Sequence, residues 1–330
     1  MNYSVIGGSG FIGTVLCKNF NKRSMNFRVV DKRVSQTFPS KYIYADVRSV
    51  NNLNHAIYDN DVIINLAAEH RDNINPKNLY DQVNVSGAIN ICNIARIKNC
   101  KKIIFTSSVA VYGFAKIGTN ENGIIKPFSD YGRTKWEAEQ AYKAWQMEDP
   151  KNRTLVIIRP TVVFGERNRG NVFNLLKQIA SGNFFMIGSG QNRKSMAYVE
   201  NVAAFIEYSL NFKPGLHIYN YVDKPDFTMN ALVNRVYKIL GRSNNIRCRL
   251  PYIFGLIIGK LFDFISFITG KKFPISTIRI KKFCTNSVYA SAVPTTGFKP
   301  PVGLLKAIER TVKYEFIEKK HKEEPIFFTE

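Results

Sequence analysis

The chain has 330 residues, 45% of them hydrophobic and 22% charged, with a net charge of +22. That length can bury a substantial core, and the composition excludes a disordered or repetitive chain. Its cysteines (Cys17, Cys92, Cys100, Cys248, Cys284) are odd in number and never form Cys-x-x-Cys, and its histidines (His55, His70, His217, His321) are scattered, so no disulfide framework and no metal site is expected.

Taken in order, Asn2 to Ile6 reads as a buried strand opening directly onto Gly7-Gly8-Ser9-Gly10-Phe11-Ile12-Gly13 and a helix through Phe20, with no secretory leader before it. Strand, glycine turn and helix together are the context in which a backbone can wrap a dinucleotide pyrophosphate. Gly7 makes the turn, Gly10 admits the phosphates, Gly13 lets helix and strand close, and the N–H groups around Phe11 and Ile12 face the anion. A second strand, Phe27 to Val30, ends in Asp31, an acid suited to the adenosine ribose hydroxyls, which favours NAD. Lys32 and Arg33 follow and leave NADP open. Tyr42 to Tyr44 leads to Asp46 and Val47, placed to meet the adenine, and Val62 to Leu66 ends in Ala67-Ala68, small enough for a cofactor to approach.

Helical spacing from Tyr80 to Ile97 and a buried strand, Lys102 to Phe105, continue the alternation. The pattern predicts an α/β fold: a Rossmann-type, doubly wound parallel sheet over residues 1–160, with a smaller C-terminal α+β substrate region over 161–330. Thr106-Ser107-Ser108-Val109-Ala110-Val111-Tyr112-Gly113 sits at a strand end, where a hydroxyl can reach the crevice. A helix from Tyr131 to Met147, with Asp130 as its expected N-cap, then sets Tyr131 and Lys135 one turn apart. An ammonium beside a phenol favours phenolate, so this pair is a candidate base.

These motifs in this order resemble the extended short-chain dehydrogenase/reductase superfamily, in its sugar epimerase/dehydratase branch. The resemblance implies that Ser108 binds the sugar hydroxyl, Tyr131 is the acid/base, and Lys135 holds the nicotinamide ribose and lowers the tyrosine pKa. It also implies diphosphate contacts from Asn171 and from Lys194 or its neighbour Arg193. Val162 replaces a common asparagine, and Tyr289-Ala290-Ser291-Ala292-Val293 departs from the branch's nucleotide-recognition segment. Dehydratases and decarboxylases of the branch place acids after the catalytic hydroxyl, where this chain has Val109 and Ala110.

The stretches Ala67 to Asp72, Gly165 to Asn171, Lys194 to Val199 and Tyr219 to Pro225 further resemble bacterial epimerases of O-antigen synthesis. Those enzymes act on N-acetylglucosamine joined through diphosphate to undecaprenol. The implied activity is NAD-dependent inversion at C4 of a lipid-linked sugar diphosphate, and a homodimer is left open. A soluble UDP-sugar epimerase, an NAD(P)-dependent reductase and a non-catalytic dinucleotide sensor are the alternatives.

The charge bears on the choice of substrate. Arg242 to Lys282 holds nine Lys/Arg against the single acid Asp263, around the apolar run Pro251 to Gly270. No nucleic-acid module or interleaving of basic and aromatic residues is visible, so nucleic acid is not an expected partner. Segment 247–272 instead predicts a helix in an anionic membrane interface, flanked by Arg247, Arg249, Lys271 and Lys272, with a core helix as the alternative. The expected place is then the cytoplasmic face of the bacterial inner membrane, held peripherally, or else the cytoplasm.

Overall fold

In the computed structural model the described residues are 1–71, 74–182, 184–242, 246, 248–270, 276–318 and 325–329, so Asp72, Arg247, Lys271, Lys272 and His321 lie outside them. The chain builds β1 (Asn2–Ile6), α1 (Phe11–Lys22), β2 (Asn26–Asp31), β3 (Tyr42–Tyr44), α2 (Val50–Ala56), β4 (Val62–Asn65), α3 (Gly87–Ile97), β5 (Lys102–Thr106), α4 (Asp130–Met147) and β6 (Thr154–Pro160). There follow β7 (Val162–Phe164), α5 (Asn171–Ala180), β8 (Phe185–Ile187), β9 (Arg193–Tyr198), α6 (Val199–Tyr208), β10 (Gly215–Tyr221), β11 (Asp223–Thr228), α7 (Met229–Ile239), β12 (Cys248–Leu250), α8 (Tyr252–Thr269), α9 (Thr277–Cys284) and α10 (Leu304–Phe316).

The main sheet runs β3-β2-β1-β4-β5-β6-β10, every pairing parallel. Its strands are apolar on both faces because helices cover both. Ile6, Ile63, Ile103 and Ile157 pack under α2, α3 and α4, while their neighbours Val5, Ile64, Ile104 and Val156 pack under α1 and α6. The chain order reverses between β1 and β4, which opens a crevice at the carboxyl ends of the strands. The seventh strand, β10, and the helix α6 come from beyond residue 160.

A second core forms where α5, α7 and α10 pack with the three-stranded sheet β11-β9-β7. The short pair β8 and β12 leads from it to a helical hairpin, α8 and α9. Within α8 only Gly255 and Gly259 are buried. A Cβ at Gly255 would meet Ile187, and one at Gly259 would meet Ile280 and the Thr277 backbone, so the two glycines form the notch in which α9 sits. The Asp263 carboxylate accepts from the Thr277 N–H (3.1 Å) and fixes the start of α9. Ile253, Phe254, Ile257, Leu261, Phe264, Phe267 and Ile268 are exposed, so α8 is not a core helix. By length and composition alone it could cross a membrane.

Candidate active site

The glycine loop is shaped by what surrounds it. Gly7 has φ +77°, and a Cβ there would stand 2.6 Å from the Ala67 nitrogen. At Gly13 a Cβ would stand 2.6 Å from the Gly7 oxygen and from the Gly8 Cα. Gly10 differs, since a Cβ would meet only the Gly7 oxygen at 3.2 Å; its smallness serves whatever approaches from outside. No side chain caps α1, which leaves the first N–H groups, at Phe11, Ile12 and Gly13, for an anion. Gly13→Ala should therefore cost about 1–3 kcal/mol of stability and weaken dinucleotide binding, measured by thermal melts with and without NAD; an unchanged melt would contradict this packing.

Asp31 ends β2, and its carboxylate accepts from the Ser9 N–H (3.0 Å) and the Arg33 N–H (2.9 Å). Burial raises its pKa, while these two backbone donors favour the ionised form. It thus braces the loop while keeping lone pairs for a ribose. Asp46 is closed by a bidentate pair with Arg48, which holds its carboxyl below the usual range. Val47 is buried against Gly87, and the Ala67 N–H donates to the Asn65 side chain (3.0 Å). This cradle, with its uncapped helix end and its acid at the second strand, fits NAD.

The catalytic candidates converge on the crevice. Ser108 caps a short 3-10 turn, its oxygen accepting from the Ala110 N–H (3.1 Å), and its side chain stands near enough to the Tyr131 phenol to favour its ionised form. A Cβ on Gly132 would stand 2.5 Å from the Ala110 oxygen, so a glycine beside Tyr131 lets α4 press onto the Ser108 turn. The N-cap of α4 is Ser129 and not Asp130. Ser129 is extended (φ −126°) and accepts from the Gly132 N–H at 3.2 Å, whereas Asp130 is already helical.

The expected lowering of the tyrosine pKa by Lys135 is not what this arrangement produces. Burial raises the Tyr131 pKa, and the opposing influence is the Ser108 side chain. Lys135 is fully buried with its ammonium 4.1 Å over the Phe105 ring, and burial brings its pKa down to about 7 against the pull of Glu139.

Sequence reasoning missed what holds these groups. Glu139, one turn beyond Lys135, accepts from Ser107 (2.5 Å) and from Arg159 twice (2.8 and 2.6 Å); Arg159 donates on to the Tyr112 hydroxyl (2.7 Å), which donates to Asn220 (2.8 Å). The spacing Tyr131, Lys135, Glu139 along one helical face was the available signal. Asn84 was missed too. It sits in a π-helical turn (Asp81–Ser86) ahead of α3 and grips the Glu69 backbone at both N–H and oxygen and the Thr134 hydroxyl.

The other candidates lie on later elements of the chain. Asn171 is exposed at the start of α5, whose N-cap is Gly170 with no side-chain partner. Lys194 donates to the Lys282 and Thr285 oxygens (2.6 Å each) at the end of α9, and burial lowers its pKa to about 8. Arg193 beside it is exposed. The divergent segment 289–293 is anchored through Glu121, which accepts from the Asn220 and Ala292 N–H groups (2.8 Å each).

A model of the NAD dependent epimerase/dehydratase family matches residues 3–221. The N-acetyl-alpha-D-glucosaminyl-diphospho-ditrans,octacis-undecaprenol 4-epimerase of Escherichia coli is 46% identical over 321 residues, 97% of this chain and 96% of that protein. Among solved structures, the UDP-N-acetylglucosamine 4-epimerase of Methanobrevibacter ruminantium superposes with a TM-score of 0.74 at 20% identity, covering 95% and 97% of the two chains. The UDP-glucuronic acid 4-epimerase of Bacillus cereus in complex with NAD gives 0.72 at 20% identity, covering 95% and 98%. These two share the fold.

Proposed function

The chain belongs to the NAD dependent epimerase/dehydratase family, and from that premise we propose that it inverts C4 of N-acetylglucosamine carried on diphospho-undecaprenol, giving the galacto epimer for surface polysaccharide. The observation that carries the chemistry is the neighbouring pair Ser108 and Tyr131 beside a turn, Val109–Tyr112, that contains no acid. Without an acid there, elimination and decarboxylation lack their proton donor. The substrate rests on the near full-length similarity to the undecaprenol-linked epimerase.

NAD, when bound, accepts a hydride from C4 and returns it, so the cycle has no net redox change. Tyr131 takes the proton of the sugar 4-hydroxyl and later gives it back to the 4-keto intermediate. Its raised pKa makes the phenolate a stronger base once formed, and the Ser108 hydroxyl steadies both that charge and the sugar oxygen. Lys135 holds the nicotinamide ribose, and the glycine loop with Asp31 fixes the other end of the cofactor. Asn171 and the Arg193/Lys194 pair take the diphosphate.

The protein rests peripherally on the cytoplasmic face of the inner membrane. This reading is supported by the exposed apolar surface of α8 and by Arg249, Lys260, Arg279, Lys281 and Lys282 around it, a pattern suited to anionic lipid. Washed membranes bearing the protein should convert the N-acetylglucosamine diphospholipid without added reductant, while UDP-N-acetylglucosamine turns over poorly. Efficient use of the soluble nucleotide sugar would sink the lipid assignment. Recovery of the enzyme in the soluble fraction at low salt, with no lipid or detergent, would count against membrane contact.

A further inference from the structure

Two aromatic rings at the rim of the site have no part in the chemistry of Ser108 and Tyr131. Phe114 follows the Ser108 turn, and Phe128 immediately precedes the Ser129 cap of α4. The rings stack with centroids 4.7 Å apart and planes 25° from parallel, yet they stay 54% and 45% exposed. Ile117 and Ile124 of the same loop are also exposed. The loop is held in place by the Lys126 N–H donating to the Val111 oxygen (3.1 Å). Stacked rings left in water forgo the burial that ordinarily repays ordering them, which points to an apolar ligand.

The surroundings select that ligand. The Lys282 ammonium lies 5.1 Å over the Phe128 ring. Lys282 belongs to the last turn of α9, where its carbonyl accepts from Lys194, and α9 is the helix seated in the glycine notch of α8. Packing therefore links α8, through α9 and its Lys282, to the ring pair ahead of α4. Phe114 stacks on Phe128, and the Lys282 ammonium approaches that ring to 5.1 Å from its centroid. The exposed parts of the two rings suit a flexible aliphatic chain, with the Lys282 ammonium beside Phe128 for a diphosphate.

We propose that Phe114, Phe128 and Lys282 form the port for the carrier lipid, in which the isoprene units next to the diphosphate lie along the ring pair on their way to α8. This inference rests on the lipid-linked reading of the substrate. The test uses the full chain in detergent micelles with two substrates, N-acetylglucosamine diphospho-undecaprenol and the corresponding diphosphate ester of a short alkyl alcohol. Phe114 is the position to change, since Phe128 adjoins the cap of the catalytic helix.

Phe114→Ala should lower the ratio of kcat/KM for the polyprenyl substrate to that for the short ester by about tenfold, chiefly through KM, the loss expected for one aromatic contact. Phe114→Leu, which keeps an apolar side chain, should restore most of that ratio. An equal loss on both esters, no loss on either, or loss of a self-associated form in Phe114→Ala would overturn the port. Wild-type enzyme that ignores chain length would also overturn it while leaving C4 epimerisation standing. Wild-type enzyme that prefers UDP-N-acetylglucosamine would instead overturn the proposed function.

Discussion

Tyr131→Phe is expected to lower kcat by about 10³-fold, within the range that positioned acid–base groups contribute, while leaving the fold and the affinity for NAD nearly intact. The change removes one oxygen and keeps the ring in its place. Ser108 is not orphaned, because its oxygen still accepts from the Ala110 N–H, so the stability cost should stay near 1 kcal/mol. Single-turnover conversion of the lipid-linked sugar, beside a fluorescence titration of NAD, separates the two effects. Conversion at anything near the wild-type rate would end the assignment of Tyr131 as the base.

Arg159→Met is expected to be the most destabilising single change, at about 3–5 kcal/mol. Glu139 would keep its charge at 0% exposure with only Ser107 left as donor, and the Tyr112 hydroxyl would lose the guanidinium beside it. The melting temperature should fall by roughly 10 °C. The double variant Glu139→Leu/Arg159→Met should recover part of that loss, because replacing both members of a buried pair costs less than stranding one. An Arg159→Met protein that melts within 1–2 °C of wild type would show that the buried pair carries little. Activity should fall as well, since Ser107 adjoins Ser108 and Glu139 stands one turn from Lys135.

The elements that local pattern encodes were legible in the sequence. Apolar runs such as Val62 to Leu66 and Leu155 to Arg159 became parallel strands because helices cover both faces, and the glycine spacing led directly to the tight contacts of Gly7 and Gly13. Illegible were pairings between distant residues. Nothing near Glu139 names Arg159 as its partner, nothing near Asn84 names Thr134, and the use of Gly215–Tyr221 as the seventh strand is settled by what it packs against. The surroundings of the tyrosine were illegible for a related reason. Spacing shows that Lys135 shares a helical face with Tyr131, but not that burial raises the pKa of the phenol or that the ammonium lies over Phe105. Helix α8 was legible as apolar, while its exposure follows from the two glycines that admit α9.

The late arrival of β10 affects how the chain is made. Strand β6 is buried along its whole length, and its outer edge is closed only by β10, roughly sixty residues later in synthesis. At about 5–20 residues per second the nascent chain carries that open edge for several seconds. During that interval an unpaired apolar strand can join a neighbouring chain as readily as its own partner. The order of translation thus makes β6 a segment that a ribosome-associated chaperone has reason to cover.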